Sequence, residues 1–193
     1  MKSLLDTRHR QLLRTPDGQL GELFQPLLDL WFTNRGAGDP SIPDYAAFDV
    51  LDLPTWMLPC LFVCKLIGQP RRFFYELVGD AIEQHNGFSA QKRYLADIPL
   101  KNKQVMAREF AATVFNGCPI YSQGPYVGFQ GYVKEVERLI CPYRLTGNTY
   151  AFVGVARLTI QTSTSQHHPV GFAYPRQDRH RRIGPNKTDP QPD

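Results

Sequence analysis

The chain has 193 residues, 42% of them hydrophobic and 21% charged, an ordinary globular composition that suits one domain with modest terminal extensions. A fold of this length hides roughly 70% of the surface its unfolded chain exposes, so the four cysteines are not needed as staples. A formal charge of +4 is too weak to identify a polyanion binder unless the excess is clustered, and much of it is, at the C-terminus. The richest apolar stretch, Val50 to Ile67, is interrupted by Asp52, Pro54, Pro59 and Lys65 and does not read as a membrane span. Asp6, Arg8, His9 and Arg10 stand where a secretory signal would carry its apolar run, so the expectation is a cytoplasmic protein.

Residues 1–18 read as an N-terminal extension and residues 19–60 as a helix followed by an irregular bridge. Leu20, Leu23, Phe24, Leu27, Leu28 and Trp31 recur at helical spacing and form the stripe of an amphipathic helix. Pro26 requires either a kink or a helix that begins with the proline in its first turn. Arg35-Gly36-Ala37-Gly38-Asp39-Pro40 then supplies a glycine stop and a proline that cannot continue the helix.

Residues 61–161 read as the core. Leu61 to Ile67 and Phe73 to Val78 are apolar, rich in aromatic and branched side chains, and joined by a turn-forming segment, which predicts a hairpin. Short helical patterns fill residues 80–100, and Lys101 to Asn116 predicts the longest helix, with Met106, Phe110 and Val114 facing the sheet, Ala111 and Phe115 flanking them, and Gly117 as its stop. Three more strands are predicted at Ile120 to Val127, Val133 to Cys141 and Tyr150 to Ile160. The middle one carries Lys134, Glu135, Glu137 and Arg138, so part of it is expected to face water or a polar cavity. The result is an α+β class with a five-stranded antiparallel sheet and helices on one face, preceded by the N-terminal amphipathic helix. Residues 162–193 lose all apolar periodicity and read as a disordered basic tail. Between Arg176 and Lys187 it holds Arg176, Arg179, Arg181, Arg182 and Lys187 against Asp178, without aromatic residues among the charges, which favours a solvated tail over a nucleic-acid site.

Several short segments, in order, resemble the PAS superfamily, in particular a bacterial single-domain PAS family common in alphaproteobacteria. They are Ile42-Pro43, Phe48 to Pro54, Leu58 to Phe62, Phe73 to Ile82, Asn116 to Ser122, Val136 to Tyr143 and Val153-Gly154-Val155. The resemblance covers residues 19–160. Where that family usually has a Thr-Gly pair before Tyr94-Leu95, this chain has Ala90-Gln91-Lys92-Arg93. The resemblance implies a PAS-like sheet and a sensory or signalling module that acts through a protein partner. It implies no particular cofactor, because fold and function are separable.

The candidate ligand-binding residues are Tyr75, His85 and Arg138. Tyr75 and Arg138 are polar-tipped residues on strands with apolar neighbours, and a strand arginine suits a ligand carboxylate. The plainer reading pairs Arg138 with Glu135 or Glu137, or leaves it in water. His85 lies in the helical region that walls the cavity in PAS folds, but a single histidine is as well explained by an ordinary hydrogen bond, and haem is not expected. Gln84-His85-Asn86-Gly87 does not match a flavin-photoreceptor motif, so flavin is not expected either. Cys60 and Cys64 on one extended strand would lie ~13 Å apart, too far to share a metal or a disulfide, and all four thiols are expected buried and reduced. His167 and His168 read as solvated rather than metal-binding, and no metal site is expected. With no phosphate-binding glycine loop, nucleophile elbow or zinc-spaced histidine pair, the chain is expected not to be an enzyme. Leu23, Leu27 and Trp31 are the candidate interface of a homodimer or partner complex. A ligand-free interaction scaffold is the alternative role.

Overall fold

The computed structural model describes residues 22–36, 41–101, 103–125, 133–147, 149–160 and 181–182. The proline question in the first helix resolves in favour of a helix that begins just before it: α1 spans Gln25–Arg35 with Pro26 in its first turn, where its missing N–H costs nothing. Gly36 ends the helix at φ 77, donating its N–H to the Thr33 carbonyl at 3.2 Å. The bridge then runs through three 3₁₀ turns, Tyr45–Ala47, Val50–Asp52 and Thr55–Cys60. The Asp49 carboxylate caps the middle turn by accepting the Leu51 N–H at 2.9 Å.

The hairpin forms from β1 (Leu61–Ile67) and β2 (Arg72–Val78). Next come α2 (Asp80–Asn86), a two-residue β3 (Arg93–Tyr94), and α3 (Lys103–Asn116). The remaining strands are β4 (Ile120–Pro125), β5 (Val133–Leu145), β6 (Thr149–Ile160) and β7 (Arg181–Arg182). All pair antiparallel in the order β3-β2-β1-β6-β5-β4-β7. The predicted count of five is therefore too low. Six strands lie between residues 61 and 160, because β3 adds two pairs to the β2 edge, and Arg181–Arg182 adds a further short strand on β4. Apart from those two arginines, the predicted tail lies outside the described residues, as do the extension and Leu20.

β5 runs four residues past the predicted end at Cys141, through Pro142. The Arg144 N–H bonds the Pro43 carbonyl at 2.8 Å, which places it on the side of β5 away from β6. Pro142, two residues earlier, turns its nitrogen to that same side, so no bond of the β5–β6 ladder is lost.

Side-chain alternation sends apolar groups to both faces of the sheet. Leu61, Val63, Leu139, Cys141, Tyr143, Ala151, Val153 and Val155 face one cluster with Phe24, Leu27, Leu28 and Trp31 of the N-terminal segment and Leu53 and Met57 of the bridge. Phe62, Cys64, Tyr75, Val78, Ile140, Phe152 and Ala156 face the other, with Ile82, Met106 and Phe110 from α2 and α3. The core helices α2 and α3 share one face, as expected, and α1 with the 3₁₀ turns covers the opposite one, because two central strands apolar on both sides need two covers.

The same packing settles where the proposed interface residues lie. Leu27 and Trp31 are 0% exposed within their own chain, and Leu23 packs half-buried against the same cluster. The Trp31 indole N–H donates to the Pro142 carbonyl at 2.7 Å, which fastens α1 to the sheet. As a surface for a second copy, the stripe is already occupied by its own domain. Replacing Leu27 and Trp31 together with Glu should therefore cost more than about 4 kcal/mol, since two large side chains are lost and two charges are buried without partners. Urea unfolding followed by circular dichroism measures this, and a folded double variant with an unchanged midpoint would show that α1 does not hold the sheet.

Candidate functional site

Between the sheet and the α2–α3 layer lies a cavity of about 70 Å³. Its walls come from Phe62 on β1, Tyr75 and Val78 on β2, Ile82 and Asn86 on α2, and Met106 on α3. Val136 and Arg138 on β5, Ala156 and Leu158 on β6, and Ala90, Ile98 and Leu100 from the connecting segment complete it. Val136, Arg138 and Ile140 share this face by strand alternation, and Ile82 and Asn86 share a face of α2 four residues apart. Gly154 also shapes the site. A Cβ there would stand 2.2 Å from the Phe62 ring, so only glycine lets that ring lie across β6.

The structure brings Tyr75 and Arg138 together in the cavity wall and leaves His85 out of it. His85 is half-buried on α2, with its Nδ1 2.5 Å from the Ala81 carbonyl one turn back, so donation within the helix accounts for it. Tyr75 is buried among Phe62 and Phe110 in edge-to-face contacts. Burial pushes its phenol well above the ordinary tyrosine range, with Cys64 and Glu109 adding to the rise and Arg138 opposing it. At neutral pH it is an uncharged phenol that can donate or accept.

Arg138 pairs with neither Glu135 nor Glu137. Its Nη2 lies 2.9 Å from Oε1 of Glu109 on α3, and the two side chains are 11% and 4% exposed. Helix α3 buries Met106, Glu109, Phe110 and Thr113 and packs Val114 half-buried against the same cluster, so the expected stripe faces the sheet, but the expected flanking residues Ala111 and Phe115 are exposed, Phe115 to 87%. Glu109 is the residue that sequence reasoning missed. Its position three residues from Met106 and next to Phe110 is the signal that a carboxylate shares the apolar face. Ser122, directly across from Arg138 in the β4–β5 register, is buried on the same face. Arg138 Nε, Glu109 Oε2 and Ser122 Oγ are buried without a hydrogen-bond partner. Polar atoms in that state are costly unless something satisfies them.

Glu137, one residue before Arg138, points to the other face and is also buried. It accepts from the Tyr121 hydroxyl and pairs with Arg157, whose guanidinium lies 5.6 Å over the Phe24 ring. Glu137 thus closes the α1 side and takes no part in the cavity.

Cys64 and Cys141 are buried thiols whose pKa values burial pushes up, and Cys60 is shifted the same way, so none of the three is primed as a nucleophile. Among the described residues no group of three or more His, Cys, Asp or Glu side chains is arranged to hold a metal ion. No helix among them is long and apolar enough to cross a membrane. No family model matches the chain, and no curated protein matches it.

The Arg138–Glu109 pair ties α3 to β5 at the rim of the cavity. Glu109→Leu alone should cost about 3–5 kcal/mol, because it strands a buried guanidinium, while Glu109→Leu with Arg138→Met should recover most of that loss. Urea midpoints of both single variants and the double check the coupling, and strictly additive losses would show that the pair does not act as a unit.

Proposed function

We propose that this protein is a PAS-type sensory module that binds a small molecule between its sheet and the α2–α3 layer and passes the event to a protein partner. One observation carries the reading: an apolar cavity whose polar side chains, among the described residues, are those of Tyr75, Asn86 and Arg138. Binding sites are mostly apolar with a few placed polar groups, and this wall has that make-up. The order of elements, β1, β2, α2, β3, α3 and then β4, β5 and β6, supports the family resemblance drawn from residues 19–160. The ion pair between Arg138 and Glu109 offers a route outward, because anything that moves Arg138 pulls on α3.

A second reading, a ligand-free interaction scaffold, draws on two facts. The cavity is small beside the ~300–1,000 Å³ of usual ligand pockets. Large apolar side chains are also exposed, with Phe115 at 87%, Leu51 at 84% and Trp56 at 55%. Native mass spectrometry of the purified protein, followed by a thermal-shift screen of small molecules, separates the two. The sensory reading expects a retained mass or a ligand-dependent rise in Tm. A bare chain whose Tm moves with no compound favours the scaffold.

A further inference from the structure

Resting on the ligand-binding reading above, we infer that the cavity beside Arg138 selects an uncharged molecule or head group of about three heavy atoms that carries a hydrogen-bond acceptor. Among the described residues Arg138 is the only charged one lining the cavity, and alone it would draw a carboxylate or phosphate. It is not alone. Glu109, with its side chain 4% exposed, already neutralises the guanidinium from behind the wall. A second anion would share one arginine with a buried carboxylate and leave a net negative charge in an apolar space. A cation would meet the arginine without a carboxylate in the wall to receive it.

An uncharged acceptor avoids both costs. The Arg138 Nε–H has no partner, so a carbonyl or hydroxyl oxygen there would satisfy a buried donor without altering the charge balance. The neutral Tyr75 phenol adds a second polar contact of the same uncharged kind. Size follows from volume: a cavity of about 150 Å³ holds benzene, whereas the present one is near 70 Å³, which leaves room for about three heavy atoms.

Formamide, ethanol and formate each have three heavy atoms and separate charge from size. Methyl-labelled NMR of the full chain at neutral pH would follow Ile82, Ile98 and Met106 during titration with each, with dissolved xenon as a probe of the empty space. Formamide and ethanol should shift these signals saturably, with affinities on the order of millimolar or weaker. Formate should bind at least about tenfold more weakly than either. Glu109→Gln leaves the guanidinium uncompensated and should improve formate binding by about tenfold over the unaltered protein.

Formate binding as well as the neutral probes would overturn the charge rule while leaving the ligand-binding reading standing. A response to xenon without one to formamide or ethanol would overturn the acceptor requirement alone. Silence towards every probe, xenon included, would remove the cavity as a binding site and the sensory reading with it. Unchanged formate binding in Glu109→Gln would show that Glu109 is not what excludes anions, and if that variant fails to fold, the three probes on the unaltered protein decide.

Discussion

Two long strands, β5 and β6, pair from Val133↔Ile160 to Leu145↔Thr149 and are apolar on both faces, so the sheet they anchor has to be covered twice. The chain meets that requirement with segments from either end of the core hairpin. Before β1, α1 and the 3₁₀ turns cover the face of Leu139, Cys141 and Tyr143; after β2, α2 and α3 cover the face of Ile140 and Phe152. The Trp31 hydrogen bond and the Arg144–Pro43 backbone bond fix the first cover on the one side of β5 that β4 leaves unpaired beyond Ile140. Removing α1 and the 3₁₀ turns together would thus expose a complete hydrophobic layer.

Double burial also explains the charges on β5. Consecutive strand residues point to opposite faces, so Glu137 and Arg138 enter different layers and cannot neutralise each other. Each needs a partner on its own face. Glu137 finds Arg157 and Tyr121 beside α1, and Arg138 finds Glu109 on α3. A buried pair contributes little net stability compared with apolar residues, yet separating its partners is expensive. The Arg138–Glu109 pair therefore acts chiefly on registration, holding α3 at one position against the sheet, whereas Glu137, Arg157 and Tyr121 link neighbouring strands within it.

The second cover closes less completely than the first. Phe62 packs against Gly154, Arg138 pairs with Glu109, and Ile82 and Met106 line the remaining space of about 70 Å³. Any molecule taken into it would bear on Arg138 and through Glu109 on α3, the helix that also presents Phe115 to solvent.

By itself the sequence determined what depends on neighbours along the chain. The α+β class, the β1–β2 hairpin, α3 with its Gly117 stop, and β6 with two apolar faces all follow from periodicity and turn residues, which act over a few positions. Tyr75 and Arg138 were legible as polar tips on apolar strands for the same reason. What only the tertiary structure decided is which faces meet. Glu109 joins Arg138 across 29 positions, the stripe of Leu27 and Trp31 is spent on its own sheet, and His85 satisfies itself inside α2 instead of reaching the cavity. Pro142 passes through β5 because its nitrogen faces the side without a ladder, a fact that strand pairing alone decides. Periodicity records which side chains share a face, but the choice of the opposing face is made by burial and charge compensation over the whole molecule, and no local pattern carries it.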